Sequence, residues 1–557
     1  MNLAAITSLQ VPRTFFVIAA FALLAGAMST RIVYLHLYDK DFLQDQGDAR
    51  TVRMERINAH RGMIRDREGK PLAVSAPVTS LWANPRELTS QAAIDRLAPM
   101  FDVTPKTFRR RLERNQDKDF IYLRRHMAPP DAQKIMALEI KGVYAEREYQ
   151  RFYPAGEVAA HLVGYTDIDD NGVEGIELSY NNWLKGTPGK KKVLKNLYGD
   201  IVRDIKPLVE AKPGKSLDLS IDMRLQYLAY RELKAAVSFY RARAGSMVML
   251  DVRTGEVLAM ANQPSYNPNN RTNLDMAAVR NRAVTDTFEP GSTAKPFTMA
   301  VALGTGKYTP DSTIDTSPGF IHLDGKTVPD PTNYGVLTLA GIIAKSSQVG
   351  ISKLALTLNP DAVWHMFRSV GFGQVTGIGF PGERSGRLPE HTHWAEIERA
   401  TFAYGYGFTV TPLQLAAAYL VIADGGVRKN ITMLDEARSE DERVMPESIA
   451  RELREMLRGV VLDGTGRRAQ IEGYTVAGKT GTVRRLGSKG YEDNSHLAFF
   501  AGMVPASNPR LVGVVMINDP KGQQYGGGEV AAPVFSKVMA GAVRILNIPP
   551  DDLGRAS

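Results

Sequence analysis

The sequence predicts an α+β fold, an antiparallel sheet covered by helices, behind a polar and irregular α+β region and one apolar N-terminal segment. Three observations carry this reading. Gly245 to Asn262, "GSMVMLDVRTGEVLAMAN", holds two apolar runs around Arg253-Thr254-Gly255-Glu256 and reads as a β-hairpin. Near the other end, "SHLAFFAGMVP" and "RLVGVVMIND" read as two strands joined by the turn "ASNPR". Between them, from about Ala277 to Leu457, the pattern is mainly helical. Strands at both ends of a helical middle predict one sheet assembled from both ends of the domain.

The chain has 557 residues, so two to four domains are expected. Its apolar content of 44% and charged content of 23% are ordinary globular values and exclude wholesale disorder. The net charge of +9 is spread thinly. Arg109-Arg110-Arg111 and Lys190-Lys191-Lys192 are short and lack interleaved aromatics. They read as solvated faces, and no nucleic acid is expected as a partner. Cysteine is absent, which removes disulfides, thiolate nucleophiles and cysteine metal sites.

At the N-terminus, Thr14 to Thr30 is uncharged and bracketed by Arg13 and Arg31, and "IVYLHLY" extends it if Arg31 snorkels. The tail before it carries one arginine and no acid, which favours a cytoplasmic N-terminus. A cleaved signal peptide is the competing reading, since Ala25-Gly26-Ala27 fits a cleavage site. The apolar run is long for that, so an anchor is expected, with everything after about Asp39 outside the cytoplasm. The divisions are then a tail 1–13, an anchor 14–37, a first folded domain 38–215, a second folded domain 216–549 and a tail 550–557.

Within 38–215, "RGMIRDREGKPLAVS" reads as a turn at Arg67-Glu68-Gly69-Lys70 and then a strand. "AKPGKSLDLSID" carries Pro-Gly punctuation and marks the boundary. Arg224 to Tyr240 has apolar residues at helical spacing, and "AAPVFSKVMAGAVRIL" makes a final helix.

Three short motifs carry chemistry. In "FEPGSTAKPF", Pro290 and Gly291 form a turn, Ser292 sits where a helix starts, and Lys295 follows three residues later on the same face. A serine hydroxyl needs a base to become a nucleophile, and a lysine serves only if burial or nearby cations strip its proton. An N-capping serine beside a surface lysine is the plain alternative. In "VAGKTGTVRR", Gly478 and Gly481 permit close backbone approach, Lys479 is a cation, and Thr480 and Thr482 are donors. That set suits an anionic substrate terminus; a turn before an edge strand is the plain alternative. In "AGIIAKSSQVGISKLAL", Lys345-Ser346-Ser347-Gln348 interrupts an apolar segment and must line one buried or cleft-facing turn. The order Ser-x-x-Lys, Ser-x-amide, Lys-Thr-Gly is the triple set of the penicillin-interacting serine acyl enzymes.

Here the sequence resembles a class B penicillin-binding protein, and in detail a division-type (septal) peptidoglycan D,D-transpeptidase. "RGMIRDREG", "RFYPAGEVAAHLVGY" and "GVEGIELSYNNWLKGTPG" match the non-catalytic motifs of that class. "NRAVTDTFEPGSTAKPF", "AYGYGFTVTPLQLAAAY" and "YGGGEVAAPVF" match the catalytic domain of its division branch. The resemblance implies a serine β-lactamase-like transpeptidase domain on a pedestal of dimerisation type, single-pass in the bacterial inner membrane with the catalytic domain periplasmic. It implies that Ser292 attacks the penultimate D-alanine carbonyl of a stem pentapeptide, that Lys295 is the base, and that Ser346 relays protons. It implies that Lys479 and Thr482 hold the terminal carboxylate, with Gln348, Thr480 and Gly481 also lining the substrate or β-lactam site. Backbone N–H groups of Ser292 and Thr482 are the implied oxyanion hole. An amine of a second stem peptide then takes the acyl group, and β-lactams acylate the same serine. The implied partners are a polytopic septal glycosyltransferase and other division proteins. No metal or organic cofactor is implied, and His391-Thr392-His393 near Glu390 reads as a surface loop and not as a zinc site.

The departure is Gln348, where the family has asparagine. Glutamine keeps the amide and adds one methylene, about 1.3 Å of reach. A shifted contact to substrate or Lys295 is expected, with altered acylation by some β-lactams. Two alternatives of other classes are a catalytically silent cell-wall scaffold and a β-lactam-hydrolysing or sensing relative. The intact Ser292, Lys295 and Lys479 argue against the first, and the absence of a Glu-x-x-x-Asn loop between Ser346 and Lys479 argues against the second.

Overall fold

The computed structural model describes residues 13–41, 52–195, 201–390, 393–434, 441–487 and 490–552. His391 and Thr392 of the histidine pair therefore lie outside the described residues. The chain divides into two compact units, 1–59 with 186–213, and 60–185 with 214–557.

In the first unit, Arg13–Leu37 is one helix, and its stretch Thr14–Leu37 is long and apolar enough to cross a membrane. At about 1.5 Å per residue it exceeds the roughly 30 Å of a hydrocarbon core. Its large side chains, Phe15, Phe16, Leu23 and Leu24 among them, are exposed rather than packed on protein. The rest is an antiparallel sheet of Val52–Ile57, Gly189–Lys195 and Ile201–Val209, with Lys191 opposite Glu55.

In the second unit, the predicted turn closes on Asp66, whose Oδ1 accepts from the N–H groups of Glu68 (3.0 Å) and Lys70 (2.7 Å). The strand Pro71–Ala83 follows and pairs with both Ile121–Met127 and Val143–Phe152. The arginine run at 109–111 rides on the helix Pro105–Glu113, which buries Phe108 and Leu112 on its other side. Residues 153–184 share one continuous core with the catalytic region. For example, Tyr266 donates to Ala160 O (3.0 Å), and Gln226 Nε2 to Val158 O (2.8 Å). Beneath them Glu177 is fully buried between Arg61 and Arg151, with both N···O distances 2.6 Å.

The catalytic region starts with helix α1 (Met223–Phe239), N-capped by Asp222, whose Oδ1 accepts from Arg224 N at 2.9 Å. Strands β1 (Ala244–Asp251) and β2 (Val257–Gln263) form the expected hairpin. Helices α2 (Lys295–Gly304), α3 (Leu339–Lys345), α4 (Gln348–Leu356), α5 (Pro412–Ala423) and α6 (Glu447–Leu462) fill the middle. This middle also carries two small antiparallel strand pairs that the helical reading did not contain. They are Thr313–Asp315 with Val336–Thr338, and Phe320–Leu323 with Lys326–Pro329. Their runs are three or four residues long and partly exposed, too short for alternation to declare itself.

Strands β3 (Ala477–Gly487), β4 (Gly490–Val504) and β5 (Leu511–Asn518) precede helix α7 (Ala532–Ile545). The sheet order is β2-β1-β5-β4-β3, antiparallel throughout, so both ends of the domain build one sheet and β3 is its edge. Alternate residues divide between two cores: Phe499, Val514 and Met516 on one face, Phe500, Val515 and Ile517 on the other with α1 and α7. Helix α5 is buried almost all round and packs on β1 and β5 beneath the first face. Burying each Phe of such a pair is worth about 1.5–3 kcal/mol, which holds β4 between the helical middle on one face and α1 with α7 on the other.

Candidate active site

Ser292 lies in a single 3-10 turn, Gly291–Ala294, and the α-helix proper begins only at Lys295. The turn is held from beneath by Tyr419 of α5, which donates to Thr293 O at 3.0 Å, and from the side by Gly291 N donating to Gly405 O at 3.0 Å. Ser292 itself is half-buried, and its turn packs against β3.

The polar run at 345–348 is not a helical face. Helix α3 ends at Lys345, which is exposed, and Ser346 adopts the left-handed conformation (φ 60, ψ 33). Ser347 then caps α4, its Oγ accepting from Gly350 N at 2.8 Å. The four residues thus form a helix-to-helix junction, and its left-handed step turns the Ser346 hydroxyl inward.

Ser346 Oγ lies 2.9 Å from Ser292 Oγ, 3.2 Å from Lys295 Nζ and 2.9 Å from Lys479 Nζ. Lys295 Nζ also donates to the carbonyls of Ser346 (2.5 Å) and Ser347 (3.2 Å). Both lysines are fully buried. Burial, and then the nearby charge of Lys479, push the Lys295 ammonium well below its usual value, while Asp330 pulls the other way. Burial alone lowers Lys479 to about 7. A neutral lysine has two N–H donors and one lone pair. As an ammonium Lys295 donates to Ser346 Oγ as well; once neutral, with the two carbonyls taking its donors, its lone pair is left to accept from the Ser346 hydroxyl. Ser292, Ser346 and the Lys295 amine are therefore joined in one hydrogen-bonded chain.

Strand β3 supplies the other wall. Gly481 stands opposite Phe499, and a Cβ there would meet the Phe499 ring at 1.8 Å, so only glycine lets the edge strand lie flat. Thr480 Oγ1 is 2.7 Å from Thr465 Oγ1, and the exposed Thr482 accepts at Oγ1 from Gly527 N at 2.9 Å. The structure thus brings Ser292, Lys295, Ser346 and Lys479 within hydrogen-bond reach. Gln348 is half-buried, and its side-chain amide makes no hydrogen bond with another described residue, Lys295 included.

Asp330, which sequence reasoning missed, organises the junction. It is buried at the foot of the Phe320–Pro329 hairpin. Its Oδ2 accepts from Ser347 Oγ (2.5 Å), and its Oδ1 from the N–H groups of Gln348 (2.5 Å) and Val349 (3.2 Å). An acid between two prolines, Pro329 and Pro331, reads as a surface turn in sequence. Nothing in its spacing ties it to Ser346. Among the described residues no group of His, Asp and Glu is arranged to hold a metal ion.

The family model described as the penicillin-binding protein transpeptidase domain matches residues 245–540, and that of the penicillin-binding protein dimerisation domain matches 56–219. The chain is 44% identical over 544 residues to a protein of Pseudomonas aeruginosa named probable peptidoglycan D,D-transpeptidase PbpC, covering 97% of this chain and 96% of that one. It is 44% identical over 554 residues to the peptidoglycan D,D-transpeptidase FtsI of Escherichia coli, covering 97% and 94%. Among solved structures it is similar to penicillin-binding protein 3 of Mycobacterium tuberculosis complexed with aztreonam. That match has TM-score 0.70 and 29% identity, and covers 89% of this chain and 98% of the other.

Proposed function

The chain belongs to the class B penicillin-binding proteins, and from that premise we propose that it is a peptidoglycan D,D-transpeptidase of the division septum, acting through a Ser292 acyl-enzyme. The observation that carries the proposal is the relay of two hydroxyls, Ser292 and Ser346, against two buried lysines. In the first step Ser292 Oγ attacks the penultimate D-alanine carbonyl while its proton passes through Ser346 to the neutral Lys295. Backbone N–H groups of Ser292 and Thr482 stabilise the oxyanion. The proton returns through Ser346 to the departing D-alanine amine, leaving the ester. An amine of a second stem peptide then attacks the ester and restores Ser292.

Lys479, lowered to about 7 by burial, regains charge when the anionic terminal carboxylate sits beside it, with Thr480, Gly481 and Thr482 lining the same wall. Gln348 borders the site and contacts the bound acyl group. Residues 38–215 serve as the pedestal and 216–549 as the transpeptidase domain. The 14–37 helix anchors the chain with its catalytic domain on the periplasmic side, beside a polytopic septal glycosyltransferase and other division proteins.

The test is labelling of membranes with a fluorescent penicillin. The expected result is a stable adduct with the natural chain and none with Ser292→Ala. Rapid turnover of the adduct would establish a hydrolase instead, and no adduct in either chain would leave a silent scaffold.

A further inference from the structure

Beside the catalytic turn, on the same face of the sheet, lies an open basin of about 720 Å³ that the transpeptidation scheme does not use. Its floor is apolar: Phe288, Val483, Leu497 and Met516, all buried. Its walls are cationic, with seven arginines against two carboxylates. Both carboxylates are engaged. Asp286 is paired with Arg280 and with Arg282 (3.0 Å), and Glu289 accepts from Gly407 N (3.0 Å) and Tyr491 OH (2.7 Å). Arg243, Arg384 and Arg387 line the basin and make no side-chain hydrogen bond or ion pair with another described residue.

The wall is preformed. Arg384 N donates to Val284 O (2.9 Å), and Arg387 exchanges backbone hydrogen bonds with Thr409 (2.9 and 2.8 Å). Between them Gly386 (φ +66) runs so close that a Cβ would meet Thr409 O at 2.1 Å. Two lining residues carry orphaned buried atoms of opposite kind, the donor Arg282 Nε and the acceptor Asn518 Oδ1. Guanidinium groups match carboxylates in bidentate geometry, Asn518 Oδ1 calls for an N–H, and the floor suits small aliphatic groups.

We propose that this basin is a second binding site, for a short acidic peptide presenting two or more carboxylates together with amide N–H groups. It borders the catalytic turn directly: Val483 Cγ1 would stand 2.6 Å from a Cβ on Gly291, and Phe288 and Glu289 lead into Ser292. The proposed function makes carboxylate-bearing stem peptides of the cell wall its natural source, and the choice of peptide class rests on that reading.

The experiment uses the full chain in detergent, acylated with penicillin so that Ser292 is blocked, titrated calorimetrically with the tetrapeptide Ala-Glu-Ala-Glu. Saturable binding is expected, weakening as salt rises, and at least about tenfold weaker in the Arg384→Ala/Arg387→Ala double variant. That variant is accepted as folded when its penicillin stoichiometry and melting temperature match the parent. Absence of binding at about 10 mM peptide, or equal affinity in the double variant, overturns the site. Equal affinity for pyrophosphate overturns the peptide assignment. If no penicillin adduct forms, the transpeptidase reading fails, while titration of the unacylated chain still decides the basin.

Discussion

Replacing Asp330 by asparagine tests how the junction works. The carboxylate accepts three hydrogen bonds, from Ser347 Oγ and from the N–H groups of Gln348 and Val349. Hydrogen bonds to a charged partner contribute about 1.5–3 kcal/mol each. The asparagine carbonyl keeps the two backbone donors at reduced strength, and its NH₂ faces Ser347, so about 2 kcal/mol is lost overall. Part of that loss falls on the rate, because Ser346 is left-handed without being glycine, a state that costs about 1–3 kcal/mol and persists only while its neighbours hold it. The plateau rate of penicillin acylation falls by up to about 30-fold.

A second effect has a definite sign. In the proposed mechanism acylation needs neutral Lys295, so the rate rises with pH through the folded-state value, which burial and Lys479 hold below the ordinary one. The Asp330 carboxylate favours the ammonium and raises that value. Its removal moves the acid limb of the pH–rate profile to lower pH, by about one unit for each 1.4 kcal/mol of lost attraction. Stopped-flow acylation across the pH range reads both effects. A lower plateau with an unmoved limb would reduce Asp330 to a structural cap. A limb moved to higher pH would refute the assignment of Lys295 as the base.

Gln348→Asn should leave stability within about 0.5 kcal/mol, since the side-chain amide has no bond to another described residue to lose. It should nonetheless change acylation rates unevenly across a set of β-lactams; identical rates for all of them would remove Gln348 from the site. Gly481→Ala puts a methyl 1.8 Å from the Phe499 ring and should abolish the penicillin adduct, with about 3 kcal/mol or more of lost stability by chemical denaturation. An adduct at normal rate would mean that β3 can shift outward without cost to the cleft. Glu177→Gln leaves Arg61 and Arg151 buried without their countercharge and should cost about 3–5 kcal/mol, read as a lower melting temperature.

The clustering of Ser292, Lys295, Ser346 and Lys479 was legible in the sequence for a physical reason. Ser292 with Lys295, and Lys479 with Thr480 and Gly481, belong to single turns or strands, so residue type and spacing record them directly. The strands of the sheet were legible too, because β1, β4 and β5 are apolar runs long enough to read. Their order was open, since Leu511 against Asp251 joins segments more than two hundred residues apart, and no local pattern encodes that pairing. The run Lys345-Ser346-Ser347-Gln348 was recognisable as a lined turn, but not as a helix break with a left-handed serine, which depends on an acid arriving from a distant hairpin. Asp330 shows why positioning residues escape this kind of reading. A nucleophile must be a particular residue at a particular step of the chain, whereas the group that holds it in place need only reach it in space. Such groups come into view when hydrogen bonds are traced outward from the reacting atoms, and here that path runs from Ser292 through Ser346 and Ser347 to Asp330.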